Sequence, residues 1–233
     1  MASTHGIQVG STAGTSINPF GGTLTYNGII TDLSGNTGVL TKQGAGTLSL
    51  GGVSTYTGAT SINKGTIQLT TGNDRLPIGT VLSLGEAAST NLGTLDLNGR
   101  NQTIGGLNST SGTNATASNN IITSSSAATL TVSGSGTYGD GTNANSGIIT
   151  GAISLVKSGS GTLTLGDANT YTGTTTVSGG TLQLAGGNAG SVGAITSSPI
   201  GTSTLNLNGG TLSSNSTTAR TVLMLHLLVA ISL

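Results

Sequence analysis

The stretch that decides the fold runs from Leu40 to Leu69 and reads LTKQGAGTLSLGGVSTYTGATSINKGTIQL. It returns from Leu155 to Leu184 as LVKSGSGTLTLGDANTYTGTTTVSGGTLQL. The two copies align without a gap and agree at 17 of 30 positions. A chain that repeats one unit and is rich in Gly, Ser and Thr is typical of a solenoid, in which each unit buries its apolar face against the next.

A shorter unit, Gly-Thr-apolar-polar-apolar, recurs within each copy and occurs again at Gly93–Leu97. Its alternation predicts a β-strand with one apolar face, so we expect Leu and Ile to face a core and Thr, Ser, Gln and Asp to face water. The leading glycine allows a positive φ or a close backbone approach. Ten residues are predicted to form a buried, stacked ladder: Leu48, Leu50, Ile67, Leu69, Leu95, Leu97, Leu163, Leu165, Leu182 and Leu184.

Composition supports an all-β fold. Of 233 residues, 41 are Gly, 33% are hydrophobic, 5% are charged, and Glu86 is the sole glutamate, which argues against helices. The period-two placement of apolar residues argues against a disordered chain. The predicted fold class is therefore a right-handed parallel β-helix, or β-solenoid, of short strands stacked ~4.8 Å apart.

Charge and cysteine content exclude little else. Six basic and six acidic residues give zero net charge and no basic stripe, so no nucleic-acid partner is predicted. The absence of cysteine fits an exported protein and a cytosolic one equally well. Met1–Gly6 lacks a basic region and an apolar run, so no signal peptide is predicted. If the protein is exported, we expect this chain to be a fragment or to lack its proper start.

Residues 1–220 are predicted to form one β-helical unit, with an entry rung over residues 1–21. The Ser-, Thr- and Asn-rich stretch 108–127 is the candidate for a loop that leaves the helix. Residues 221–233 form an almost wholly apolar tail that abandons the alternating pattern, and the tail is shorter than the ~20 residues that span a bilayer.

Three interpretations of this aberrant tail stay open. It is a reading-frame error or premature stop, a buried strand or helix that caps the solenoid, or a membrane-surface anchor. The anchor is disfavoured because Arg220 is the only basic residue beside the tail. We favour the first interpretation and expect the tail to be dispensable for the fold.

Several segments, in this order along the chain, resemble the autotransporter-associated β-strand repeat and the segments that follow it in such proteins. They are Gly44–Leu50, Thr55–Gly58, Gly65–Leu69, Arg75–Thr80, Leu95–Gly99, Lys157–Leu165, Asn169–Gly173 and Gly180–Leu184. The resemblance covers most of residues 28 to 218. It implies a parallel β-helical passenger of a type V secretion protein, displayed at the surface of a Gram-negative bacterium.

The function that this resemblance implies is a structural stem or an adhesive segment of the passenger. Host-surface, glycan or self-association partners are the expected kinds, and contact with a membrane is expected only through a β-barrel that this chain does not contain. The alternative is a carbohydrate-active β-helical enzyme of the polysaccharide lyase or hydrolase type. An ice- or crystal-binding solenoid is suggested by Thr-x-Thr pairs such as Thr162 and Thr164, but Gln or Asp interrupts that row elsewhere.

Catalytic chemistry finds little support. The histidines, His5 and His226, lie near opposite ends, so no Ser/His/Asp set is feasible, and no metal-ligand spacing or phosphate-binding loop is present. We predict no enzyme activity, cofactor or metal. The best local group is a surface cluster about one coil apart, for which exposed ion pairs on turns are the favoured interpretation. Its members are Asp74, Arg75, Asp96 and Arg100.

Two residue types recur at equivalent positions of the copies. Tyr56 and Tyr171 suggest either a sugar-stacking ladder or, as we favour, rings packed over a turn with their hydroxyls at the surface. Lys42 and Lys157 are predicted to be solvated edge charges rather than ligands.

Overall fold

A computed structural model describes residues 6–11, 15–86, 89–109, 120–138, 147–166, 169–186, 189–191, 194–214 and 227–229. Every regular element within these residues is a β-strand. The strands are β1 (Ile7–Val9), β2 (Ser16–Ile17), β3 (Thr23–Tyr26), β4 (Ile30–Asp32), β5 (Leu40–Lys42), β6 (Thr47–Leu50), β7 (Thr60–Ile62), β8 (Gly65–Leu69), β9 (Val81–Leu84), β10 (Gly93–Asp96), β11 (Gln102–Ile104), β12 (Gly106–Ser109), β13 (Asn120–Val132), β14 (Thr137–Tyr138), β15 (Gly147–Lys157), β16 (Thr162–Leu165), β17 (Thr175–Val177), β18 (Thr181–Leu184), β19 (Ala189–Ser191), β20 (Ala194–Ser197), β21 (Leu205–Leu207), β22 (Thr211–Ser214) and β23 (Leu227–Val229).

Nearly all of these strands pair in parallel with the strand one turn further along the chain, and only β19 and β20 pair antiparallel. Successive strands visit three faces in rotation. The first face carries β1, β4, β11 and β17, the second carries β2, β5, β7, β9 and β12, and the third carries β3, β6, β8 and β10. The chain is thus a three-sided parallel β-solenoid, which confirms the predicted parallel β-helical architecture. We call one circuit of the three faces a rung.

The predicted ladder is confirmed, because all ten of its residues are buried within one core. Leu48 pairs with Ile67, and Ile67 pairs with Leu95 in the next rung. In the second copy, Leu163 pairs with Leu182 in the same way. Similar aliphatic side chains therefore stack along the solenoid axis, and each strand completes the burial of its neighbour.

The prediction that the alternate polar residues face water is wrong in degree. Most of them are half-buried, while Ser49 and Thr164 are buried. The register sets Gln68 beside Ser49 and Gln183 beside Thr164, and Thr164 Oγ1 lies 3.1 Å from Gln183 Oε1. Because rungs stack so closely, the long amide side chain of one rung covers the short hydroxyl of the next.

Glycine is required where the unit begins. Gly65 and its equivalent Gly180 have φ values of +72° and +61°, which L side chains rarely adopt. A Cβ atom on Gly65 would lie 2.8 Å from Lys42 Nζ, and one on Gly180 would meet the carbonyl oxygen of Gly159. Both reasons anticipated from the sequence, a positive φ and a close backbone approach, therefore hold at these two positions.

Two long strands, β13 and β15, run along the third face and turn onto the first. Their pairing shifts register between Ser124 and Ala128, where the strands bend. As a result, β5 opens the first copy on the second face, whereas residues 155–157 open the second copy on the first face. From there the second face is carried by β14, β16, β18 and β22, with β14 lying against β12.

The loop predicted over 108–127 is wrong at both ends. Residues 108–109 belong to β12 and residues 120–127 belong to β13, while 110–119 lie outside the described residues. In the tail, only Leu227–Val229 are described, and they pair in parallel with β21. The described residues include no helix that could cross a membrane.

Candidate binding surface

The equivalent lysines of the two copies are not surface charges. Lys42 and Lys157 are both 0% exposed, so the prediction of solvated edge charges is wrong. The Nζ atom of Lys42 donates to the carbonyl oxygens of Gln43 at 2.9 Å and Gly44 at 2.8 Å, both in its own turn. A third bond of 2.9 Å reaches the carbonyl oxygen of Lys64 in the next rung. The ammonium group thus fastens two stacked turns together.

Lys157 repeats this arrangement, with bonds to the carbonyl oxygens of Gly159 in its own turn and of Gly179 in the next rung, the latter at 3.4 Å. Burial lowers the pKa of Lys42 to about 8 and lowers the pKa of Lys157 as well. At neutral pH Lys42 therefore still carries its charge, and its bonding partners are carbonyl oxygens rather than a carboxylate.

The equivalent tyrosines are buried too, so neither a surface hydroxyl nor a sugar-stacking ladder is present at these positions. The hydroxyl of Tyr56 lies 2.5 Å from Thr60 Oγ1, and that of Tyr171 lies 2.6 Å from Thr175 Oγ1. Burial raises the pKa of both phenols, while the threonine bonds oppose that shift. Each ring fills the core where the chain turns, and threonine satisfies its polar end.

The turn that carries Asp74 and Arg75 stacks on the turn that ends at Asn101, with Asp74 N donating to Asn101 O at 2.9 Å. The carboxylate of Asp74 accepts from Thr103 N at 2.7 Å. The guanidinium of Arg75 donates to the carbonyl oxygens of Asn73 and Gly51. Both charged groups therefore stabilise turn backbone.

The other two members of the predicted cluster lie at the same corner. Asp96 accepts from Gln68 Nε2 and from Asn98 N, both at 2.8 Å, and Arg100 is exposed. The structure thus brings Asp74, Arg75, Asp96 and Arg100 to adjacent rungs, but among the described residues these four form no ion pair with one another. A binding role for the cluster stays a prediction.

The other acidic residues that the structure describes are Asp32 and Glu86, since Asp140 and Asp167 lie outside the described residues. Asp32 accepts from Thr57 N and Gly38 N, and the Thr57 bond is the chief cause of its lowered pKa. Within the described part of the chain, no three His, Cys, Asp or Glu residues form a group that could hold a metal. His5 and His226 lie outside the described residues.

Buried amide side chains link the rungs in a way that sequence reasoning missed. Gln102 accepts from Leu76 N and donates to Leu76 O, both at 3.0 Å, as a strand partner would. Asn169 accepts from Ile149 N at 2.8 Å and donates to Pro199 O at 3.0 Å, so it joins three rungs. The sequence feature that could have indicated these links is the position of Gln102 and Asn169, polar residues that each lie two positions before an apolar one.

Seven large apolar side chains among the described residues are exposed and mark surface that a partner could contact. They are Phe20, Leu24, Ile29, Leu33, Val53, Ile78 and Leu92. Val53 and Ile78 border a groove of about 490 Å³.

A second concavity of about 610 Å³, the Phe20 basin, crosses four rungs at the corner between the second and third faces. Its lining residues are Ser16, Asn18, Phe20, Gln43, Gly44, Ala45, Lys64 and Asn91. The sequence signal for it was the turn 18–21, which places the only phenylalanine of the chain beside a proline.

The fold and its recurring lysine, tyrosine and glycine positions define a repeat protein of the parallel β-solenoid class. Residues 40–69 and 155–184 match the family model of the Passenger-associated-transport-repeat. Over 207 residues, 87% of the chain, the sequence is 35% identical to the Adhesin BmaC autotransporter of Brucella suis biovar 1 (strain 1330). These findings support an autotransporter passenger repeat protein, as the resemblance implied. The chain covers 6% of that adhesin's length. No solved structure matches the chain significantly.

Proposed function

We propose that the chain is an adhesive segment of an autotransporter passenger displayed at the bacterial cell surface, where its solenoid also serves as a stem. The observation that carries the proposal is the similarity to an adhesin over 87% of the chain, including both repeats. The solenoid suits this role because stacked rungs give an extended surface whose polar residues need not serve the core.

The same proposal excludes catalysis. Enzymes of the polysaccharide lyase or hydrolase type need carboxylates or basic groups that converge on a substrate. Here the carboxylates of Asp32, Asp74 and Asp96 are occupied by neutral donors of neighbouring turns. Turnover of pectin or alginate by the purified chain would contradict this part of the proposal.

Adhesion is tested with fluorescent beads coated with the purified chain and applied to cultured epithelial cells. We expect saturable attachment that the soluble chain competes away, because a specific surface has a finite number of partners. Beads coated with the denatured chain are the matched control. Attachment equal to that of the control, or insensitive to competition, would contradict an adhesive role.

A further inference from the structure

Phe20 is the most exposed large apolar side chain among the described residues, at 93%. It stands on the turn between β2 and β3, and the adjacent Pro19 is buried and anchors that turn. An aromatic ring held in water on a fixed turn offers a flat apolar face to a partner. Its neighbours in the basin are polar side chains, turn backbone and one small apolar side chain, that of Ala45.

Asn18 and Gln43 occupy adjacent rungs beside this ring, and Gln43 N donates to Ile17 O across the rungs. Neither side-chain amide has a hydrogen-bonding partner among the residues that the structure describes. Each amide carries both donors and an acceptor, and stacking sets the backbones of the two residues roughly 4.8 Å apart. Such a pair matches the neighbouring hydroxyl groups of a sugar ring.

The floor of the basin combines N–H donors and positive charge with two oxygens, Asn18 Oδ1 and Pro19 O, that lie against Gly44. The carbonyl groups of Gln43 and Gly44 point inward to Lys42 Nζ, so in a trans peptide the N–H groups of Gly44 and Ala45 point outward. Within the described part of the chain these two N–H groups have no acceptor. The buried ammonium of Lys42 lies behind them, and the exposed Lys64 side chain lies at the rim. Together they form a site that favours an anion.

One carboxylate lies near the far wall, where Glu86 accepts from Asn91 Nδ2 at 2.9 Å. That bond uses one N–H of Asn91 Nδ2, and Gly44, Ala45 and Lys64 are the donors on the other side of the basin. The basin lies over turns and presents no strand edge, so it offers an extended peptide no backbone ladder to join. A rigid ring with hydroxyl groups and one carboxylate matches the basin better than an acidic peptide.

We propose that the Phe20 basin binds an acidic glycan, with an apolar sugar face on Phe20 and the sugar carboxylate at the N–H groups of Gly44 and Ala45 and the ammonium of Lys64. This inference rests on the adhesive role proposed above and names the class of its partner. Asn18 and Gln43 then bind the ring hydroxyls.

The test uses the full chain and four saccharides in two matched pairs. These are 3′-sialyllactose with neutral lactose, and oligogalacturonate with neutral maltotriose. Titration followed by amide NMR should show saturable binding of at least one acidic member, with shifts at the Gly44 and Ala45 amides, and much weaker binding of its neutral match. Binding of neither acidic saccharide, equal binding of the neutral match, or stronger binding of a triglutamate peptide overturns the inference.

Substitutions locate the site. Phe20→Ala removes an exposed ring and should leave the fold intact while weakening the acidic glycan about tenfold or more. Lys64→Gln should weaken the acidic member about fivefold and leave the neutral one unchanged. Ile78→Ala, which removes an exposed apolar side chain at the other groove, is the matched control and should bind as the parent does. Unchanged affinity in Phe20→Ala overturns the inference.

Bead attachment separates this inference from the proposed function. If parent beads adhere and Phe20→Ala beads adhere equally well, the basin is not the adhesive site, while the adhesive role stands. If parent beads do not adhere but the chain binds the acidic saccharide at the basin, the adhesive role fails and the glycan site stands.

Discussion

Lys42 brings a charge into a turn that offers three carbonyl oxygens and no carboxylate. Lys42→Met keeps the apolar stem but leaves these oxygens without their shared donor. We expect the free energy of unfolding, measured in denaturant, to fall by about 1–3 kcal/mol. Lys64→Met changes an exposed side chain of the next turn and should cost ~0.5 kcal/mol or less. Equal losses in the two variants would contradict the bonding role of Lys42.

The same buried lysine predicts an unusual pH dependence of stability. The pKa of Lys42 is about 8 in the folded chain against 10.5 ordinarily, so between these values the unfolded chain binds more protons. Stability should therefore rise as pH increases from 8 towards 10. Tyr56 and Tyr171 act in the opposite sense, because their raised pKa values make the unfolded chain lose protons first above pH 10.

Melting temperatures measured from pH 7 to 11 should therefore pass through a maximum near pH 10. Lys42→Met should flatten the rising part of the profile, and Tyr56→Phe should reduce the fall beyond the maximum. A melting temperature that falls steadily from pH 8 upwards in the parent chain would show that burial does not lower the pKa of Lys42.

At Ser54 the first copy lacks hydrogen bonds that the second copy makes at the equivalent position. It is buried, its Oγ atom has no hydrogen-bonding partner, and its equivalent is Asn169, which joins three rungs. Ser54 borders the open groove beside Ile78, so a larger side chain has room. Ser54→Asn should add about 1 kcal/mol of stability and raise the melting temperature by roughly 2–4 °C.

The reciprocal change supplies the control for this prediction. Asn169→Ser should lose at least as much, because it leaves Ile149 N without its acceptor. If both Ser54→Asn and Asn169→Ser lower the melting temperature, the prediction is wrong. The surroundings of residues 54 and 169 then differ in more than this side chain.

At the scale of single strands, the inside and outside positions of β16 differ sharply. Leu163 is buried and stacks on Leu182, so Leu163→Ala should cost ~2–5 kcal/mol through lost burial and a cavity. Thr162 is half-buried on the outer side, and Thr162→Ala should cost about 1 kcal/mol or less. Similar losses at the two positions in denaturant melts would contradict the orientation of the strand.

At the scale of the whole molecule, stability is a sum over rungs and the contacts between neighbouring rungs. A chain that ends at Thr218 loses β23, which pairs with β21 alone among the described strands. We expect it to keep its β-rich circular dichroism and its cooperative transition at a similar or higher temperature. If the tail is not covered by the core, the shortened chain should also be more soluble, because exposed apolar runs promote association.

The outcome of this truncation separates the interpretations of the tail. Loss of the cooperative transition would show that residues 219–233 cover the end of the core. A retained transition with unchanged solubility would show that the apolar tail neither caps the core nor drives association.

The sequence alone determined the parallel solenoid, the ten-residue ladder and the need for glycine at Gly65 and Gly180. These features follow from period-two polarity and from local backbone limits, both of which are local properties of the chain. It also predicted that Asp74 and Arg100 lie on neighbouring rungs, because about one coil of the chain separates them.

The directions of the Lys42 and Tyr56 side chains depend on tertiary contacts, because the turning and stacking of the chain place their partners, Lys64 O and Thr60 Oγ1. The bend that β13 and β15 share places the second copy one face further around the solenoid than the first copy. The Phe20 basin likewise depends on side chains from four rungs. A polarity pattern specifies which side of a strand is apolar, whereas the contacts between rungs decide which polar groups are buried and which surfaces stay open.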